Sequence, residues 1–420
     1  MDFASPYLEK QTGFEPGIPE IPDPDLGFIV VVPCYDEPGL VHTLESLWSC
    51  HRPGSAVEVI VVLNAPENAS SESLEQNARS LALLDEWARR NNAPRFRLLV
   101  KDIGSLPRKY AGPGTARKAG MDEAVSRFGR IGRPDGIICS LDADTGCDPG
   151  YFTEIERCVN AHAGLGGGCI YFEHPLCGDE YGDQVYEAVA FYELHMRYFL
   201  QALRSIDFPY AYHTLGSAFF VTALTYTRAG GMNRKKAGED FYFLQKTFPM
   251  VPFMDVTTTR VIPSPRPSER VPFGTGPWIR KYLRDPEHPP GTYHYSAFKD
   301  LQMFFSLASH PDILTNWNEI SRSLAPPVRS FLKREDPFAR LQEIAGNTAT
   351  PAAFTKRFYQ WFNGFKVIKY LNHVHRSYFE RPDIARQAAA FLKEVKGFSN
   401  VPEKPRELLM LYRELERGRG

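Results

Sequence analysis

Four short apolar runs, each followed by polar residues and then by helix-patterned chain, constrain this sequence more than any other feature. They occupy residues 28–33, 57–63, 96–100 and 136–141 and are rich in valine, isoleucine and leucine. Helical spacing fills the gaps at 39–50, 73–90 and 115–128, with Leu40, Leu44 and Leu47 on one face of the first. Strands that lack apolar/polar alternation are buried on both faces, as in a parallel sheet held between helices. The expected fold class is therefore α/β, a mostly parallel sheet with helices on both faces. Ligands of such sheets bind beyond the carboxyl ends of the strands. Three polar clusters fall at those ends: Cys34-Tyr35-Asp36-Glu37, Asn64-Ala65-Pro66-Glu67 and Asp142-Ala143-Asp144.

Outside this region the pattern changes twice. Residues 1–25, with Pro16, Pro19, Pro22 and Pro24, read as an extended arm. After Asp148-Pro149 the periodicity loosens into a helix at 150–161, a strand at 169–172, an aromatic helix at 185–203 and a strand at 217–222. Residues 263–276 are dense in proline, glycine, serine and arginine and read as a long loop. Helical spacing then returns at 296–308, 312–333, 351–375, 382–396 and 403–417, a helical C-terminal region.

Composition narrows the class. At 420 residues the chain has room for two or three domains, and 43% hydrophobic with 24% charged residues is ordinary for a soluble globular protein. A formal charge of −1 argues against general nucleic-acid affinity, so no nucleic-acid partner is expected. Seven cysteines, an odd number without a Cys-x-x-Cys pair, fit neither a disulfide framework nor a zinc site. The expected setting is a reducing, cytoplasmic one. No segment reads as a secretory leader, and no apolar stretch reaches the roughly 18 residues of a membrane span. Peripheral contact with a membrane surface stays open.

Three segments could carry chemistry. Asp142 and Asp144 are spaced i, i+2, which places both on one face at a strand end, where they repel unless a cation lies between them. Mg²⁺ or Mn²⁺ takes carboxylates in this way and keeps positions for phosphate oxygens, whereas a solvated turn is the plainer alternative. Residues 109–122 form a glycine-rich turn entering a helix, with Arg117 and Lys118 suited to a phosphorylated ligand. Gly114 and Gly120 serve tight packing equally well. The spacing is neither Gly-x-Gly-x-x-Gly nor the P-loop, which disfavours a dinucleotide dehydrogenase or a P-loop NTPase. Gly238-Glu239-Asp240 precedes a helix at 241–247, where the acids act either as simple capping groups or as a general base.

Taken in order, these segments resemble the family 2 glycosyltransferases of the GT-A (Rossmann-like) fold. The residues that carry the resemblance are 30–37 (Val-Val-Val-Pro-Cys-Tyr-Asp-Glu), Gly-x-x-Arg-Lys-x-Gly at 114–120, Asp-x-Asp at 142–144 and Gly238-Glu239-Asp240. The resemblance implies a GT-A domain at 26–265, with a nucleotide-binding half at 26–145 and an acceptor half at 146–265. An active-site loop at 266–295 and a helical region at 296–420 follow. It implies inverting transfer from a nucleotide-diphosphate sugar to a hydroxyl acceptor, which is a glycan, a lipid-linked molecule or a small molecule. Asp144 would hold Mn²⁺ or Mg²⁺, with Asp142 near the ribose or the metal, and Asp240, beside Glu239, would be the general base. Pro33, Tyr35 and Glu37 would border the nucleobase and ribose, and Arg117 would lie near the base or diphosphate.

Asn64 stands where the family usually places an aspartate that bonds the nucleobase, which leaves base preference open. Arg266 and Arg270 would clamp the diphosphate, or else sit in a solvated linker. His294 is either a further metal ligand or a packed histidine. The Gln-x-x-Arg-Trp motif and membrane helices of processive synthases are missing, so single additions are expected. The alternatives are a nucleotidyltransferase of related fold and a catalytically silent sugar- or nucleotide-binding protein. A nucleotidyltransferase would carry a Gly-x-Gly-Thr loop after the first strand, where this chain has Cys-Tyr-Asp-Glu.

Overall fold

The structure, a computed structural model, describes residues 2–234, 238–268 and 274–418. It divides into two compact units. The first comprises Met1–Val185, Thr214–Trp278 and Glu416–Gly420, and the second Tyr186–His213 and Ile279–Leu415.

Among the described residues the first unit contains β1 (Leu26–Cys34), β2 (Ala56–Pro66), β3 (Phe96–Leu106), β4 (Ile137–Ser140), β5 (Thr145–Cys147), β6 (Gly167–Phe172), β7 (Phe219–Thr222) and β8 (Phe253–Pro263). They form one sheet in the order β3-β2-β1-β4-β7-β6-β8-β5. The four sequence-predicted strands are β1 to β4, and they pair in parallel, with β1 between β2 and β4. Residues of β1 and β2 are buried nearly throughout, so both faces of this region are covered. Beyond β4 the sheet is mixed: β7 runs antiparallel to β4 and β6, β6 pairs in parallel with β8, and β5 runs antiparallel to β8. Neither β5 nor β8 is evident in the sequence, since β5 is three residues long and β8 alternates irregularly.

One expectation changes form. The fourth strand ends at Ser140, before the acidic pair. The Thr145 N–H donates to the Asp142 carbonyl at 3.1 Å, so Asp142 and Asp144 lie in a tight turn between β4 and β5 rather than on extended chain. The turn still starts at the carboxyl end of β4.

The helix Pro113–Arg130 is the pillar of the first unit. It is buried around most of its surface, including Arg117, Lys118, Asp122, Glu123 and Arg127. Buried charges need partners. Arg127 reaches Glu58 at 2.5 Å, Glu123 accepts from Lys101 at 2.5 Å, and Lys118 pairs with Asp122 at 2.8 Å. Lys118 also donates to Gln11 and to the Tyr7 hydroxyl, so it belongs to a structural cluster and not to a phosphate cradle. Gly120 brings this helix down on the sheet, because a Cβ there would come within 2.4 Å of Val31 and 2.8 Å of Val62. Residues of the N-terminal arm pack here as well: Tyr7, in a short helix Ser5–Leu8, donates to Asp122 at 2.6 Å.

The second unit is helical, around an aromatic core that includes Phe304, Phe305, Phe358 and Phe362. Two of the expected long helices are broken. Residues 312–333 divide into Pro311–Leu314, Trp317–Ser323 and Pro326–Leu332, the last opening on Pro326-Pro327, which cannot continue a helix. Residues 351–375 split into Pro351–Trp361 and Gly364–Val374, where the Asn363 side chain caps the second helix. A helix at Thr275–Arg284 occupies part of the segment read as a loop.

Candidate active site

The turn after β1 is held by side chains from the helix Ser71–Asn91. Asp36 is in the left-handed region at φ 51°, a conformation that costs a non-glycine residue energy and tends to persist where function requires it. Its N–H donates to Asn77 Oδ1 at 2.9 Å, and its carboxylate accepts from Ser73 at 3.1 Å. Asn77 also donates to the Asn64 carbonyl at 2.9 Å, so one amide ties the chain after β1 to the end of β2. Sequence reasoning passed over Asn77, which belongs to no motif. Pro33 and Tyr35 flank this turn and are half-buried, while Asn64 is buried inside β2.

Glu37 is buried at the same turn. Its Oε1 accepts the Gly39 N–H at 2.9 Å and its Oε2 accepts from Arg266. Arg266, in the segment after β8, also approaches Asp144 at 3.5 Å. Glu37 and Arg266 are thereby brought beside the acidic turn. Arg270 lies outside the described residues.

At the centre is Arg117. Buried on the first turns of its helix, it donates through Nη1 to Glu239 and through Nη2 to Asp142 at 2.5 Å. The two acidic pairs, far apart in sequence, thus share one guanidinium. Burial opposes its charge, but Asp142, Glu239 and Asp240 more than offset this and raise its pKa. Its Nε–H has no partner among the described residues. Asp240 follows Glu239 in the first turn of the helix Glu239–Thr247, with its Oδ1 accepting from the Phe241 N–H at 2.7 Å. Gly216 closes the arrangement: a Cβ there would fall 2.8 Å from Asp240 Oδ2 and 2.9 Å from Arg117 Nη2. Ser140, the last residue of β4, donates to the Gly216 carbonyl at 2.6 Å and fixes that close approach. No sequence signal marks Gly216.

The electrostatics divide each pair. Asp142 is held by Arg117, whereas the Asp144 carboxyl is pushed up to about 7 by desolvation and by the charges of Asp142 and Glu37, with Arg266 opposing. Glu239 is held by the same arginine and is raised by burial. Asp240 is pushed up to about 7, first by desolvation and then by Glu239, while Arg117 and the Phe241 N–H oppose the shift. Two carboxylates are therefore locked, and two are poised near neutrality.

Among the described residues no three carboxylate, imidazole or thiol groups cluster as a ready-made metal cage. Asp142 and Asp144 nevertheless fit a hard divalent cation. They offer oxygen donors, the Asp144 carboxylate is disfavoured by burial and by the charges of Asp142 and Glu37, and Mg²⁺-type ions use one or two carboxylates together with substrate phosphates. His294 falls in the second unit, where its ring accepts the Ser296 N–H at 3.2 Å and stacks on Phe379.

The sequence matches no protein-family model and no curated protein. Among solved structures the chain resembles TarS 1–349 from S. aureus in complex with UDP-GlcNAc. That alignment has 14% identity and a TM-score of 0.40 and covers 94% of this chain and 92% of that one. It also resembles the mannosyltransferase PcManGT from Pyrobaculum calidifontis, in complex with GDP-Man and Mn²⁺. Here identity is 13%, the TM-score is 0.36, and 99% of this chain and 92% of that one are covered. A third likeness is to glucosyl-3-phosphoglycerate synthase from Mycobacterium tuberculosis, in complex with Mn²⁺, UDP and phosphoglyceric acid. It has 12% identity and a TM-score of 0.33, over 67% of this chain and 85% of that one. With likeness this low, the functional reading rests on the site's own residues.

Proposed function

We propose that the chain is a GT-A-type, inverting glycosyltransferase that moves a sugar from a nucleotide-diphosphate donor to a hydroxyl acceptor. The observation that carries the reading is the Arg117 bridge, which joins the acidic turn at the sheet edge to Glu239 and so to Asp240. On this reading the donor site and the proton acceptor belong to one arrangement.

In this reading Asp240, poised near neutrality, takes the proton of the acceptor hydroxyl. The acceptor oxygen forms its bond to the anomeric carbon as the bond from that carbon to the diphosphate oxygen breaks on the opposite face. The configuration inverts, and the electron pair leaves on the diphosphate. Asp144, with Asp142, would hold Mn²⁺ or Mg²⁺, which supplies positive charge against the leaving diphosphate. Arg117 holds Asp142 and Glu239 in place. Asn64, Pro33, Tyr35 and Glu37 would frame the nucleoside, with Arg266 closing over the diphosphate. The seven cysteines are free thiols, six of them buried, which supports a reducing, cytoplasmic setting. No described helix is long and apolar enough to cross a membrane.

The test is donor turnover with Mn²⁺, including the slow transfer to water, for wild type, Asp144→Ala and Asp240→Asn. Loss of turnover in both variants is expected. Unchanged turnover in either variant removes the role assigned to that residue.

A further inference from the structure

The helix Gly364–Val374 of the second unit buries Val367, Tyr370, Leu371 and Val374. Lys366, Lys369 and His373, spaced three and four residues apart, line a different face. Arg376 extends that line in the terminal turn, where its N–H donates to the His373 carbonyl. The end of the helix Pro326–Leu332 lies alongside: Ser330 is 3.1 Å from His373 Nε2, and the Phe331 ring is 5.8 Å from the imidazole. Arg334, two residues beyond that helix, acts electrostatically on His373 and joins the cluster, with Lys333 beside it in the chain.

Glu335 is taken by Lys366, and among the described residues Lys333, Arg334, Lys369 and Arg376 form no ion pair. Like charges so placed repel, and Arg334 and Arg376 add to burial in lowering the pKa of His373. The excess is local. Residues 322–376 hold ten Lys/Arg against three Asp/Glu, whereas the whole chain is nearly balanced at 49 to 50. Aromatic rings accompany the charges: Lys366 lies 4.7 Å from the Trp361 ring, Lys369 lies 4.7 Å from that of Phe365, and Tyr378 is 45% exposed.

We propose that this face docks the protein onto an anionic membrane surface. Lys333, Arg334, Lys369 and Arg376 would meet lipid phosphates, while Tyr378 enters the headgroup layer. Lys369, Arg376, Lys333 and Arg334 are all exposed, and four cations contributed by the ends of two helices, with no ion pair among the described residues, fit a plane of charge better than a compact ligand. Cations flanked by interfacial aromatic rings are the side-chain combination that headgroup regions favour. The inference is independent of the catalytic reading.

The full chain is sedimented with vesicles of phosphatidylcholine, alone or with one-third phosphatidylglycerol, at low and high salt. Binding is expected only with phosphatidylglycerol, and it should fall steeply with salt. The triple variant Arg334→Gln/Lys369→Gln/Arg376→Gln should bind on the order of a hundredfold more weakly, from the typical contribution of each basic residue. Circular dichroism and a thermal melt verify its fold. If it fails to fold, Arg376→Gln alone takes its place, with binding weakened about fivefold. The proposal is overturned if the wild type ignores anionic vesicles, or if the folded variant binds them equally well. Binding of inorganic polyphosphate without vesicle binding also overturns it and points to a soluble polyanion.

Discussion

The two acidic pairs of the first unit are built from the same residue types and put to different ends. Asp142 and Asp144 sit in a tight turn between strands, half-buried and next to Glu37 and Arg266. Glu239 and Asp240 begin a helix, with Glu239 buried and Asp240 against Gly216. In each pair Arg117 locks one acid, Asp142 or Glu239, and the other is left near neutrality. The contrast teaches that the shared arginine is what separates roles. The arginine-bound acids are suited to setting position, and Asp144 and Asp240, raised by burial and neighbouring charge, are suited to responding to a ligand or a proton.

Removing the shared element should have the largest effect. Arg117→Ala leaves Asp142 and Glu239 without their counter-ion, and a buried pair broken this way costs about 3–5 kcal/mol. Chemical denaturation should show this loss, together with loss of turnover. The pairs then separate by substitution. Asp240→Asn should lower kcat about a thousandfold, within the range for a lost general base, with the donor KM little changed. Asp144→Ala should lower kcat/KM for the donor about a hundredfold, and raising Mn²⁺ should recover part of it. Gly216→Ala, which pushes into both Asp240 and Arg117, should cost about tenfold in kcat while leaving nucleotide affinity near the wild-type value.

The smallest effect is on pH. On the proposed reading Asp240, pushed up to about 7, must lose its proton to act as base, so kcat/KM should rise with pH up to about 7 and level off above it. Stability runs the other way. Folded Asp240 keeps a proton that the unfolded chain, with an ordinary aspartate near 4, has already released. Its contribution is complete below the unfolded value and declines as pH rises through about 7. Asp240→Asn should therefore be more stable than wild type at pH 8 in chemical denaturation, an advantage that vanishes in acid.

The parallel part of the sheet and the two acidic pairs were legible because each leaves a local mark. Apolar runs give β1 to β4, and acids following a strand or opening a helix are visible as such. Their union was not legible, since the Arg117 bridges to Asp142 and Glu239 span 25 and 122 residues and exist only once β4 and the helix Glu239–Thr247 are in place. Arg117 could be picked out by its motif, but its partners could not. Gly216 and Asn77 act through close approach and amide bonding, for which spacing carries no signal. The breaks at Pro326-Pro327 and Asn363-Gly364 were legible in principle, because proline and an Asn–Gly pair interrupt helical spacing. Strong flanking periodicity masked them. Lys118 shows the reverse error: a cation beside a glycine turn looks made for phosphate until Asp122 claims it.

Calorimetric titration of uridine and guanosine diphosphates with Mn²⁺ into wild type, Asp144→Ala and Asp240→Asn tests the division between the pairs most directly. The account predicts that wild type and Asp240→Asn bind the same nucleotide with affinities within about threefold, while Asp144→Ala binds at least about tenfold more weakly. Equal weakening in both variants, or undiminished binding by Asp144→Ala, would contradict it.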